Sequence, residues 1–195
     1  MPCKSKLIAK KWHISMEEKF IIPGTQETGQ LHFFYHCPES DLPIRDVVHR
    51  KKSEPHIEKN AENYCVGCYQ NLIRKFLRSP SRYLFLVTTC RKKDSEHRGK
   101  YFVVGYILKE NSLRREYGWA VQGSTKMVSF HAAFCLHDLT AFSGVFNFRH
   151  MRKDLGPEET KAILKRLKSA PNILPKCIRE IGRLGKLGWR KKPCK

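Results

Sequence analysis

Apolar residues fall in short runs along most of this chain. The two clearest are Tyr83–Val87 and Tyr101–Leu108, separated by a polar loop that holds Arg91, Lys92, Lys93, Asp94, Glu96, His97, Arg98 and Gly99. Runs this short, rich in β-branched and aromatic residues and bounded by turn formers, predict strands. Neither run alternates polar with apolar, so both faces should be covered, as in a small closed barrel or a sheet beneath helices. Gly105 interrupts the second run and predicts a bulge, a bend at a barrel corner or a close backbone approach.

The same reading extends outward. Lys11–Ile14, Phe20–Ile22 and Leu31–Tyr35 predict strands, with Pro23, Gly24 and the polar run up to Gly29 forming the turn between the last two. Residues 38–60 are polar and carry three prolines, which predicts a loop or mobile insertion. Cys65, Cys68, Tyr69, Leu72, Ile73 and Phe76 recur at helical spacing and predict a helix over 62–78, ended by Ser79-Pro80-Ser81. Glu116 to Ala120 reads as a glycine-bearing loop with Tyr117 and Trp119. Lys126–Phe130 predicts a strand, His131–Leu139 gives no clear signal, and Val145–Phe148 predicts a short strand. Gly156-Pro157-Glu158-Glu159 opens a helix with a buried stripe of Ile163, Leu164 and Leu167. Ala170-Pro171-Asn172 ends it, and a second helix starts near Pro175.

The expected class is α+β: a small, strongly curved mixed sheet or pseudo-barrel with flanking helices and a basic helical C-terminus. Residues 1–150 form the mainly β domain, with a zinc-binding or mobile insertion at 36–68. Residues 151–195 form a basic helical extension packed on the same domain.

Charge changes the picture most. Over 195 residues there are 38 Lys/Arg against 18 Asp/Glu, a formal net charge of +20. Beyond Phe148 the chain has 15 Lys/Arg against 4 Asp/Glu, so over half the excess lies in the last quarter. Such a balance is hard to rationalise without an anionic partner, and nucleic acid, DNA or RNA, is the usual one ahead of a membrane surface. No apolar stretch is long enough for a membrane span, and the charged N-terminus lacks a secretory core, so an intracellular, reducing compartment is expected. Candidate phosphate contacts are Arg91, Lys92, Lys93, Arg98, Arg114, Arg115, Arg149, Arg152 and Lys153, with the Lys161, Lys165 and Lys168 helix face and Arg190–Lys192. Each cluster alone is also an ordinary solvated face.

The eight cysteines need not pair in such a compartment. Cys65 and Cys68 form a CxxC at the expected helix start, where thiolates are stabilised and both sulfurs can reach one zinc. Cys37 is the third candidate ligand and His49 the fourth, with His36 and His56 as alternatives. Buried core thiols and a redox pair are the competing readings. Among the aromatics Trp12, Tyr106, Tyr117, Trp119 and Phe130, Trp119 stands out as a base contact because it follows Arg114 and Arg115 in an expected loop. Tyr106 and Phe130 read as core. No GxSxG, HExxH, P-loop or GxGxxG motif is found. The main expectation is therefore a binding module without catalysis. The rivals are a nucleic-acid-processing enzyme with His131 or His137 as general base, and a basic structural protein of a ribonucleoprotein.

Arg82-Tyr-Leu-Phe-Leu-Val, a basic loop, then Gly99-Lys-Tyr-Phe-Val-Val-Gly-Tyr-Ile resembles the PUA-like superfamily that includes EVE, YTH and ASCH domains. The likeness covers Arg82 to Phe130. It implies a small barrel whose mouth accepts a flipped, often modified base between aromatic walls, with Trp119 as the first wall and Tyr117 as the second. The N-terminal tryptophan and serine signature of those domains is not recognisable in this chain.

Overall fold

The computed structural model describes residues 24–33, 56–59, 64–67, 70–90, 94–115, 118–142, 153–177 and 179. Its centre is the antiparallel pair β4 (Ser81–Thr89) and β5 (Tyr101–Leu108), where the two long apolar runs predicted strands. Along β4, Leu84 and Leu86 join one buried cluster, while Tyr83, Phe85 and Val87 join another on the opposite face. The strand period of two thus sends a continuous apolar run into two cores.

On β5 the parity changes partway. Val103 opposes Val87 and Gly105 opposes Leu86, so Val104 is an extra residue, the bulge expected at Gly105. Phe102 and Val104 face the first cluster before it, and Ile107 faces it after. Without the extra residue the second half of β5 would turn its apolar side chains the wrong way. Glycine is required here because a Cβ at position 105 would run into the Lys126 carbonyl of the neighbouring strand.

Around this pair the sheet order is β10-β1-β4-β5-β8. β1 (Gln26–Phe33) lies parallel to β4, β10 (Lys153–Leu155) is antiparallel to β1, and β8 (Thr125–Met127) is antiparallel to β5. β9 (Phe134–Cys135) pairs with the start of β5. The class is α+β with a mixed six-stranded sheet, but the described strands do not close into the pseudo-barrel expected from the sequence. Layers cover the faces instead. On one side lie α1 (Gln70–Leu77), through Ile73, Phe76 and Leu77, and Val121. On the other lie α2 (Pro157–Ser169), through Ile163, Leu164 and Leu167, and Leu136, Phe142 and Leu155. Each such side chain, taken fully out of water, contributes about 1.5–3 kcal/mol.

A second sheet has the order β2-β3-β7-β6, built from β2 (His56–Lys59), β3 (Tyr64–Gly67), β7 (Gly118–Gly123) and β6 (Asn111–Arg115). It corrects three expectations. The helix over 62–78 is shorter: Tyr64–Gly67 is a strand, and helix runs only from Gln70 to Leu77. Aromatic and β-branched Tyr64 and Val66 favour a strand, and Gly67 disfavours a helix there. His56–Lys59, expected within a loop, pairs with β3. Trp119, expected in a loop, lies in β7 opposite Arg114. A fourth correction concerns the polar run before Gly29. Gln26–Gly29 belongs to β1, where Thr28 Oγ1 donates to Ser81 Oγ at 3.1 Å and Tyr83 Oη donates to Glu27 at 2.9 Å. The expected strands at Lys11–Ile14, Phe20–Ile22 and Val145–Phe148 lie outside the described residues. Lys126–Phe130 is strand only to Met127, and the unassigned 131–139 stretch folds as short 3-10 turns around β9.

α2 starts where the sequence predicted. Pro157 occupies its first turn, and Glu159 accepts the Gly156 N–H at 2.7 Å. The chain then returns to β8. The Met127 N–H and the Leu174 N–H both donate to Asn172 Oδ1, at 3.1 and 3.0 Å, and the Ile173 N–H donates to the Met127 carbonyl at 2.8 Å.

A buried lysine joins the two sheets. Lys109 lies between β5 and β6 and is only 7% exposed. Its N–H donates to the Arg82 carbonyl at 2.8 Å. Its Nζ donates to the Ser79 carbonyl at 2.5 Å and the Phe76 carbonyl at 3.4 Å, at the C-terminal end of α1, and sits 5.0 Å from the Phe76 ring centroid. A cation there meets the negative end of the helix dipole. Ser79 Oγ also donates to the Phe76 carbonyl, at 2.8 Å, and accepts from Gln30 Nε2 at 3.1 Å. No helix among the described residues is long and apolar enough to cross a membrane.

Candidate nucleic-acid interface

α2 divides sharply. Thr160, Ile163, Leu164 and Leu167 are buried, while Lys161, Lys165, Arg166 and Lys168 are exposed. The spacing of three and four residues that buries one stripe places Lys161, Lys165 and Lys168 together on another, with Arg166 turned away from them. At the C-terminal end of the helix Lys126 Nζ donates to the Lys168 carbonyl at 2.9 Å, adding a cation from β8. Lys176 and Arg179 are exposed on the segment that follows. Glu27 on β1 lies within electrostatic range of Lys168. Its carboxyl is held below the usual range first by the Tyr83 hydroxyl; burial opposes this, and Arg82 and Lys168 add to the lowering. Tyr83 is in turn pushed up to about 12 by burial and by its hydrogen bond to Glu27.

A second cationic segment is the loop between β4 and β5. Gly99 has φ of 78°, which favours glycine, and its N–H donates to the Cys90 carbonyl at 3.0 Å. The Arg98 N–H donates to the Ser95 carbonyl and the Lys100 N–H to the His97 carbonyl, both at 3.0 Å. This backbone mesh presents Arg98 and Lys100 to solvent. Asp94 and Glu96 share the loop, and Glu96 lies 3.4 Å from His97 Nε2.

Of the residues singled out in the sequence, Arg98 is exposed on this loop. Lys153 lies on β10, and Arg114, Arg115 and Trp119 lie on the β6–β7 hairpin. Arg91, Lys92, Lys93, Tyr117, Arg149 and Arg152 lie outside the described residues. So do Cys37, His49 and Cys68 of the candidate zinc set. Cys65 sits in β3, opposite Glu58 and Gln122, so it is not at a helix start and the thiolate stabilisation expected there does not apply to it. Among the described residues no group of three or more His, Cys, Asp or Glu could hold a metal ion. Cys90, Cys135 and Cys177 are thiols, and burial pushes Cys177 up to about 12.

The rival enzyme reading named His131 and His137. His131 is exposed beside Phe130, and His137 stacks on Tyr101 at 6.3 Å between centroids. The two belong to different 3-10 turns. Sequence reasoning passed over Lys126, Lys100 and His97. Lys126 lay inside a run read as strand, and only the return of α2 beside β8 gives it a place on the surface. His97, set between turn-forming Ser95 and Gly99, carried the one legible signal of the three. Compared with known proteins, the chain matches no family model, no curated protein and no solved structure.

Proposed function

We propose that this protein is a nucleic-acid-binding module that grips phosphates through Lys and Arg and performs no catalysis of its own. The observation that carries the reading is the exposed face of α2. Lys161, Lys165 and Lys168 stand at spacings of four and three on a chain of net charge +20. Like charges at these spacings destabilise a helix by roughly 0.2–0.5 kcal/mol per pair, a penalty that an anionic partner would relieve. Phosphate contact supplies affinity and salt dependence rather than sequence choice. A finer layer of the proposal follows the PUA-like resemblance: Trp119, opposite Arg114 in the strand register, would contact a base, with Tyr117 as the second wall.

The test is a fluorescence-anisotropy titration of labelled DNA and RNA oligonucleotides at two salt concentrations. Affinity is expected to fall steeply with salt, and Lys161→Glu/Lys165→Glu is expected to weaken every oligonucleotide alike and to flatten the slope. No binding at low salt, or a slope of zero, would remove the reading.

A further inference from the structure

We infer that the start of β5 carries a stacking ledge for an unpaired base, formed by His97, Phe130 and His131. This rests on the nucleic-acid reading above and narrows it to single-stranded or unstacked substrate. The ledge is aromatic and faces solvent. The His97 side chain is 39% exposed, Phe130 is partly exposed and His131 is exposed. Phe130 sits between the two imidazoles, with ring centroids 6.0 Å from His97 and 6.3 Å from His131. Beneath it Phe102, buried in the first core cluster, holds the Phe130 ring at 4.6 Å and the His97 ring at 5.4 Å.

The support is rigid. Phe102 belongs to β5, and the Ala133 N–H donates to the Phe130 carbonyl at 3.1 Å, closing a 3-10 turn under the ledge. A half-exposed aromatic on a fixed scaffold is the arrangement that stacks any base, since every base has a flat face. Charge selects the occupant. Arg98 and Lys100, exposed in the loop that supplies His97, can take the phosphates on either side of a stacked nucleotide. Glu96 beside His97 opposes this only in part, one carboxylate against two cations. A duplex keeps its bases stacked and hidden, so it cannot use the ledge.

The experiment compares three labelled probes on the full chain: a thymine homopolymer, an abasic strand with the same number of phosphates, and a duplex of the same length. The wild type is expected to bind the thymine strand about tenfold more tightly than the abasic strand. His131→Ala, at an exposed position, should shrink that preference. Phe130→Leu, which keeps an apolar group on Phe102, should bring the thymine strand to the abasic level. Abasic binding and its salt slope should stay unchanged in both variants, and thermal melting establishes that each is folded. Equal binding of thymine and abasic strands by the wild type, or a preference intact in both variants, would overturn the ledge while leaving phosphate binding in place. Failure to bind any of the three probes would overturn the underlying proposal as well.

Discussion

Replacing Lys109 with methionine should change how stability depends on pH. Lys109 is only 7% exposed, and burial lowers its pKa from 10.5 to about 8. That difference is worth about 3 kcal/mol, the free energy by which folding disfavours the charged form. Below about pH 8 both folded and unfolded chains carry the proton, and the whole penalty is present. Between about 8 and 10.5 the unfolded chain keeps a proton that the folded chain has lost, so stability rises with pH. Methionine abolishes this gain. At pH 7 the variant escapes the penalty but strips the Ser79 carbonyl of the Lys109 hydrogen bond, which costs roughly 1–3 kcal/mol. The Phe76 carbonyl keeps its bond from Ser79 Oγ. The two proteins should therefore differ by no more than about 2 kcal/mol at pH 7. The wild type should then gain on the variant by about 3 kcal/mol as the pH approaches 10.5. Urea unfolding of both at intervals from pH 7 to 10 measures the difference. Tyr83 and Cys177, both pushed up to about 12, act on both proteins and cancel. A difference that stays flat across this range would refute the reasoning.

Gly105→Ala should destabilise the fold by about 1–3 kcal/mol, because the new methyl meets the backbone carbonyl of Lys126 rather than a yielding side chain; thermal melts decide this, and an unchanged midpoint would count against the tight approach of β8 to the bulge. Trp119→Ala should reduce oligonucleotide affinity by roughly 1–3 kcal/mol with little change in stability. Intact affinity with a stability loss of about 3–5 kcal/mol would instead make Trp119 a core residue. If Cys65 and Cys68 hold zinc with Cys37 and His49, protein purified without added metal should contain about one equivalent and lose stability on chelation. Elemental analysis finding less than about a tenth of an equivalent would leave these thiols without a metal role.

The parts of the fold legible in the sequence are those where one physical signal acts alone. The apolar runs of β4 and β5 and the Gly156-Pro157 start of α2 each pointed to one element type, and the interruption at Gly105 to a short set that included the bulge observed. The errors fell where two periods coincide or where partners are distant. Cys65 continues the helical stripe of Ile73 and Phe76, yet Tyr64–Gly67 finds strand partners in β2 and β7, the latter more than fifty residues away. The polar residues before Gly29 look like a turn until Ser81 and Tyr83 arrive to bond Thr28 and Glu27. The α2 cationic face was visible because helical spacing alone generates it. The ledge was not, since it joins His97 to Phe130 across β5, and nothing local to either residue announces the other.

The clasp of Asn172 and Ile173 on Met127 sets where the chain can be cut. Among the described residues β8 is the last strand on its side of the central sheet, and its outward amide and carbonyl at Met127 are taken by residues that come after α2. A bare edge is a template on which a second chain can add a strand and start an aggregate. Fragments ending near Ala170 would keep every strand of the central sheet and still expose that template. The shortest well-behaved fragment should therefore run at least through Cys177, which is fully buried against the first core cluster.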